Sequence, residues 1–319
     1  MFALRGLAIT LSVFAIVYGL LSLITALTWR RVHASIRHLP IRRVAATLFA
    51  LRMAPLAAAS LLSLVLTAPS FVLLEPRGID EPIGGFSLTV GICGLLILIF
   101  GFVNTLLALR TASRTISAWM SGAQHFPASA PLPIMRILRA APPMTAVGIL
   151  RPRILFSDVA QLQLEPGEFW SALNHEIAHV RSHDNLKKLL LQFVAIPGAG
   201  ELRELEDAWL EASEMAADYS AVSNIGEALD LASALIKLCR LGPLQTSAQL
   251  RMVSFSHSSM EVVNKRVARL MLWTEQSRST RRHFGWYGVG FGLTLVAALG
   301  VSYNHLLMGI HLATEWLVR

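Results

Sequence analysis

Charge is scarce in this chain. Of 319 residues, 15% are charged and 54% are apolar, whereas a soluble domain carries about a quarter charged residues. The deficit excludes an ordinary soluble protein and points to a chain that lies partly in lipid. Cysteine is scarcer still. Cys93 falls in an apolar run and Cys239 in an amphipathic stretch, and the sequence holds no others. Two such positions make neither a disulfide framework nor a cysteine-based metal spacing, so both read as packing residues. Acidic residues are also in deficit, 20 against 28 Lys and Arg, leaving a net charge of +8. A basic excess can serve nucleic acid or anionic surfaces. No nucleic-acid-binding motif is present, and the arginines flank apolar runs as they do in membrane proteins. Internal repeats and low-complexity segments are absent too.

Long apolar runs are plentiful. The first, Leu7 to Trp29, holds no charge and exceeds the roughly 20 residues that cross a bilayer as a helix. A signal peptide has a shorter core of about 7–15 residues. This run ends in Trp29-Arg30-Arg31 rather than a small-residue cleavage site, so it reads as a retained anchor. A basic loop with Arg30, Arg31, Arg37, Arg42 and Arg43 is expected next. The second run is Met53 to Leu74, with Pro55 and Pro69 kinking or bounding it. A short acidic loop holds Glu75, Arg77, Asp80 and Glu81. The third run is Ile83 to Leu109, and the fourth extends from Phe284 to about His311, with small residues suited to close helix packing. Arginine placement puts the basic loop in the cytoplasm. The N-terminus and the tail Glu315-Trp316-Leu317-Val318-Arg319 are then external. Residues 110–283 are cytoplasmic, in agreement with Arg278, Arg281 and Arg282 before the fourth run. The expected fold is an α-helical multi-pass membrane protein with a cytoplasmic α+β domain, divided at 1–109, 110–283 and 284–319.

Within that domain, Thr145 to Leu150 and Arg153 to Ser157 read as short strands around Arg151-Pro152, a proline suited to a turn or an edge. Gly148, Ile149 and Leu150 would then belong either to a strand that pairs with an extended substrate or to a plain structural edge. Glu165-Pro166-Gly167-Glu168 is a helix start, with proline in the first turn and acids at the positive end of the dipole. The helix it opens carries His175-Glu176-Ile177-Ala178-His179, the pattern H-E-x-x-H. On a helix the two histidines lie one turn apart on one face. Their imidazoles can share one Zn²⁺ at about 2.0–2.1 Å each. Glu176 beside them is placed to take a proton from the attacking water. His183 cannot share the ion with His175 if the helix continues, because eight residues rise about 12 Å; it reads as a group that supports the site or lies on the surface. A third ligand is expected on the next helix, from Glu201 to about Val222. There Glu204, Asp207, Glu211, Glu214 and Asp218 form one stripe, and Leu202, Leu205, Trp209, Ala212, Ala216 and Tyr219 another. An amphipathic helix with a solvated acidic face gives the same pattern, and spacing alone does not select the ligand.

Glu214-Met215-Ala216-Ala217-Asp218 after H-E-x-x-H resembles the E-x-x-x-D element of gluzincin membrane peptidases. The chain is more particularly similar to the BlaR/MecR-type membrane zinc metallopeptidase family. The likeness rests on His175 to Asn185, on Gly148 to Leu155, on Leu229 to Leu241, on Val263-Asn264-Lys265-Arg266-Val267, and on three apolar runs before the domain and one after. This resemblance implies Glu214 as third ligand and Asp218 as the carboxylate that orients a ligand histidine. It implies a zinc endopeptidase of the bacterial inner membrane, cutting a cytoplasmic protein substrate such as a winged-helix repressor. Two departures accompany it. No external penicillin-binding domain follows the fourth run, so sensing would fall to a separate partner. Ala195-Ile196-Pro197-Gly198-Ala199-Gly200 lacks the aromatic character expected between the metal helices. Two other functions fit the same residues. One is a quality-control gluzincin of the heat-shock or CAAX type. The other is a signalling or scaffold protein whose metal site is structural, which four protein ligands with no open position would mark.

Overall fold

The computed structural model describes residues 2–76, 84–127, 130–138, 142–195, 198, 200–241, 260–273 and 302–314. They fall into two compact units: 1–31, 50–102 and 280–319 in the first, and 32–49 with 103–279 in the second. Residues 32–49, which the sequence assigns to the membrane segment, belong to the second unit.

The membrane runs form longer helices than their apolar cores. Helix α1 spans Phe2–Ile36, α2 spans Ile41–Leu61 and continues through a π-helical stretch Leu62–Thr67 into α3, Ala68–Leu74, and α4 spans Gly85–Met120. Among the described residues, three helical stretches are thus long and apolar enough to cross a membrane. The expected basic loop is corrected to a tight turn around Arg37 to Pro40. Arg30, Arg31, Arg42 and Arg43 lie on helices, because arginine is a good helix former and the chain breaks only before Pro40, whose carbonyl accepts the first amides of α2.

In the first unit α4 packs closely on α1. A side chain at Gly91 would meet the Ala8 carbonyl at 2.8 Å, and Gly94 approaches the Leu11 carbonyl in the same way. Ser12 Oγ donates to the Ser87 carbonyl at 2.7 Å. Small residues at this seam are what helices in lipid need to approach. Pro69 has no N–H to give the Val65 carbonyl one turn earlier, and Tyr303 Oη donates to that carbonyl at 2.8 Å. Tyr303 belongs to helical residues 302–314, which are the described part of the fourth run. Arg5 and His311 both face Glu75, at 3.0 and 3.8 Å. The remainder of the fourth run, Arg77, Asp80, Glu81, Ile83, Arg278, Arg281, Arg282 and the C-terminal tail lie outside the described residues.

The second unit contains a four-stranded sheet. Its strands are β1 (Gln124–His125), β2 (Ile134–Ile137), β3 (Met144–Val147) and β4 (Arg153–Ser157), in the order β1-β2-β4-β3. β2 and β4 are parallel; the other pairs are antiparallel. The expected strand Thr145 to Leu150 is corrected to Met144–Val147. Gly148, Ile149 and Leu150 form the turn instead. Gly148 has φ +88°, and a Cβ there would meet the Arg151 carbonyl at 2.8 Å, so the turn is built on a residue without one. Both faces of the sheet are covered. Ile134, Met144, Ile154 and Phe156 pack with Phe169, Leu173 and Ile177. Val147 and Leu155 pack with Ala112, Ile116, Trp119 and Met120. This second contact explains why α4 runs on past Leu109 to Met120.

The helices that follow are α5 (Asp158–Gln163), α6 (Pro166–Arg181), α7 (Asp184–Val194), α8 (Gly200–Ala221), α9 (Ile225–Leu241) and α10 (Met260–Met271). α6 opens as its sequence predicts, with Pro166 in the first turn and a capping box between Glu165 and Glu168.

Candidate metal centre

His175 and His179 lie one turn apart on α6 and both are buried. Glu214 on α8 meets them. Of the five acids in the α8 stripe, Glu204 and Asp207 are exposed and Glu211 is half-buried, while Glu214 and Asp218 are buried. The ligand atoms of His175, His179 and Glu214 all lie within 4.8 Å of one another. The two Nε2 atoms are 3.2 Å apart. Glu214 stands 3.4 Å from His179 Nε2 through Oε1 and 3.6 Å from His175 Nε2 through Oε2. Atoms bound at about 2.0–2.1 Å around a tetrahedral zinc stand about 3.3 Å apart, so the spacing suits one ion.

The neighbours decide which nitrogens face that point. His179 Nδ1 is 2.7 Å from Asp184 Oδ2, and His175 Nδ1 is 2.9 Å from Asp218 Oδ1 on a bent approach. Protons on both Nδ1 atoms leave both Nε2 lone pairs directed inward. Glu214 Oε1 is buried and accepts no hydrogen bond. Two lone pairs and a bare carboxylate oxygen converge here, an arrangement that needs a cation or a proton at its centre. The residues present therefore fit a divalent metal. Metal-free, the site would hold protons instead. Burial lowers the pKa of His179, but Glu214 and Asp184 outweigh it and raise it to about 10. His175 is raised against the same burial by Asp218 and Glu214. Burial opposes ionisation of Glu214 and Asp218, yet the cations around them win. Glu214 is held well below its ordinary value by His179 and Arg266, and Asp218 falls to about 2 chiefly through Arg266.

Glu176 is half-buried, and its Oε2 accepts the Ala146 N–H at 2.7 Å. Ala146 lies on β3, one of the two edge strands. Asn185 Nδ2 donates to the Ala146 and Gly148 carbonyls at 3.2 and 3.1 Å. The outward edge of β3 is thereby joined to α6 and α7. Ile149 and Leu150 take no part in these bonds, and Leu150 is 94% exposed.

Four residues at this site carry contacts that the sequence pattern left unread. Asp184 lies five residues after His179, off the helical spacing. It reaches His179 because His183, exposed and left-handed at φ 56°, ends α6 and turns α7 back. Asn185 follows it. Lys188, one turn beyond Asp184, is buried with its amine in the field of Glu214, Asp184 and Glu176; burial lowers its pKa to about 8 against their pull. Arg266 on α10 is buried between Asp218 and Glu214. The family resemblance takes in Asp184, Asn185 and Arg266 but gives none of them a role. No family model matches the chain, and no curated protein matches it significantly.

Proposed function

We propose that the chain is a membrane-bound zinc endopeptidase of the BlaR/MecR type that cuts a cytoplasmic regulatory protein. The observation that carries this reading is the convergence of His175 Nε2, His179 Nε2 and Glu214 at 3.2–3.6 Å, with a half-buried Glu176 in the same helical turn. Three protein ligands among the described residues favour a catalytic over a structural site, because a catalytic zinc keeps an open position. Zinc held there would polarise a peptide carbonyl and bring the pKa of its water to about 7. Glu176 takes the proton from the attacking water and returns it to the leaving amine. Asp184 and Asp218 keep both imidazoles in the tautomer that presents Nε2. Lys188 adds a buried positive charge near Glu176. An extended substrate adds to the edge at Met144–Val147 rather than at Gly148 to Leu150, and to do so it displaces Glu176 and Asn185 from the Ala146 and Gly148 edge groups. The substrate class, a repressor-like protein, rests on resemblance alone; so do the bacterial inner membrane and the separate sensor partner.

Glu176→Gln keeps zinc and loses cleavage, by at least about a hundredfold for a general base. Protein fragments from cells carrying wild type and Glu176→Gln are compared by N-terminal peptide mapping, with zinc measured in both purified proteins. Undiminished fragments from the variant would remove Glu176 as base. Glu214→Ala loses metal, and unchanged zinc content there moves the third ligand elsewhere. A single cleaved regulator supports signalling, whereas many misfolded membrane substrates support quality control.

A further inference from the structure

We infer that Arg266 is a positioning residue that makes α10 part of the metal centre, by holding Glu214 and Asp218 in the orientation that metal binding requires. The inference rests on the zinc-site reading above. Arg266 is 4% exposed. Its guanidinium grips Asp218 with two bonds, Nε to Oδ2 at 2.7 Å and Nη2 to Oδ1 at 2.6 Å. The remaining nitrogen, Nη1, reaches Glu214 Oε2 at 3.0 Å. A planar fork matches a carboxylate in this way and a lysine ammonium does not.

The two carboxylates it holds act on the metal by different routes. Asp218 Oδ1 is also the oxygen beside His175 Nδ1, so fixing Asp218 fixes the tautomer and tilt of that imidazole. On Glu214, Arg266 occupies Oε2 and leaves Oε1 bare towards His179. One oxygen is thus held and one is offered. The same cation offsets the repulsion of two buried carboxylates one helical turn apart, which otherwise opposes ionisation of both. Nη2 also stands 3.4 Å from His175 Nε2. This contact allows the opposite outcome: a guanidinium that competes with the metal for the lone pair. The two roles predict opposite signs.

The test uses the full chain in detergent or lipid nanodiscs, with zinc and cobalt(II) as probes. Arg266→Ala and Arg266→Lys are each expected to weaken zinc binding by about ten- to a hundredfold, the size seen when a ligand's supporting partner is removed. Lysine fails to rescue because it keeps the charge and loses the fork. The visible absorption of the cobalt protein, which reports coordination, changes in both variants. In an Asp218→Asn background, which keeps the Glu214 ligand, the fold-effect of Arg266→Ala on metal affinity is smaller than in the wild type, as a double-mutant cycle demands of residues acting through one another. Helical circular dichroism and size-exclusion behaviour check folding; if Arg266→Ala does not fold, Arg266→Lys and the cycle built on it carry the test. Unchanged or tighter zinc binding in a folded variant overturns the inference, as does an equal effect in the substituted background. A wild-type chain that binds no zinc removes the endopeptidase reading itself and is distinguishable from either.

Discussion

His179 stands between two carboxylates, Glu214 at 3.4 Å and Asp184 at 2.7 Å. In the metal-free protein that placement keeps its imidazole protonated up to a pKa of about 10, against 6.5 in an unstrained setting. A raised folded-state pKa contributes stability that is complete below 6.5 and disappears as pH rises through about 10. Zinc competes with that same proton, since a ligating histidine must give up its Nε2 hydrogen. The metal-free form therefore loses stability across this window while zinc meets less and less competition. Thermal midpoints with zinc and with a chelator should draw apart as pH rises from 6.5 towards 10, the zinc term growing by up to about 1.4 kcal/mol per pH unit. A separation that stays constant across the window would mean that His179 does not exchange its proton for the metal.

The helix carrying these histidines is anchored at its first turn as well as at its site. Glu168 caps the Glu165 amide at 2.8 Å and also accepts from Ser233 at 2.5 Å and Lys237 at 2.7 Å on α9. Burial opposes its ionisation, but these donors prevail and its pKa is lowered. Glu168→Ala removes a cap and strands two polar partners, a loss of about 2 kcal/mol. The denaturation midpoint of the second unit should fall accordingly, and an unchanged midpoint would show that α6 is held by its core face alone. The start of this helix was legible because its signals are local: Glu165, Pro166 and Glu168 lie within one turn. The H-E-x-x-H face was legible for the same reason. Strand β3 was legible only in part, because it is buried on both faces and shows no alternation to mark where Val147 gives way to the Gly148 turn. Asp184 and Arg266 were illegible as partners of the site. The first depends on a left-handed residue at His183. The second lies 48 residues beyond Asp218 and meets it only after α8 and α10 have packed.

If the three long apolar stretches each cross a membrane, the first residues of α1 and the end of α4 lie on opposite sides of it, and the α1–α2 turn lies on the same side as the end of α4. The second unit contains both of those points, residues 32–49 and 103–279, which agrees with the two spans that separate them. Arginine sets which side that is. Arg30, Arg31, Arg37, Arg42 and Arg43 surround the α1–α2 turn, Arg110 and Arg114 lie in the last turns of α4, and Glu75 follows α3. By the bias of basic residues towards the cytoplasm, the turn and the metal centre should be cytoplasmic. With Cys93 and Cys239 replaced by serine, His38→Cys should react with a membrane-impermeant maleimide only in inverted vesicles, and Pro76→Cys only in intact spheroplasts; both positions are exposed. The reverse pattern would put the metal centre outside and exclude a cytoplasmic substrate. Reaction of both positions from one side would break the count of crossings on which the whole arrangement depends.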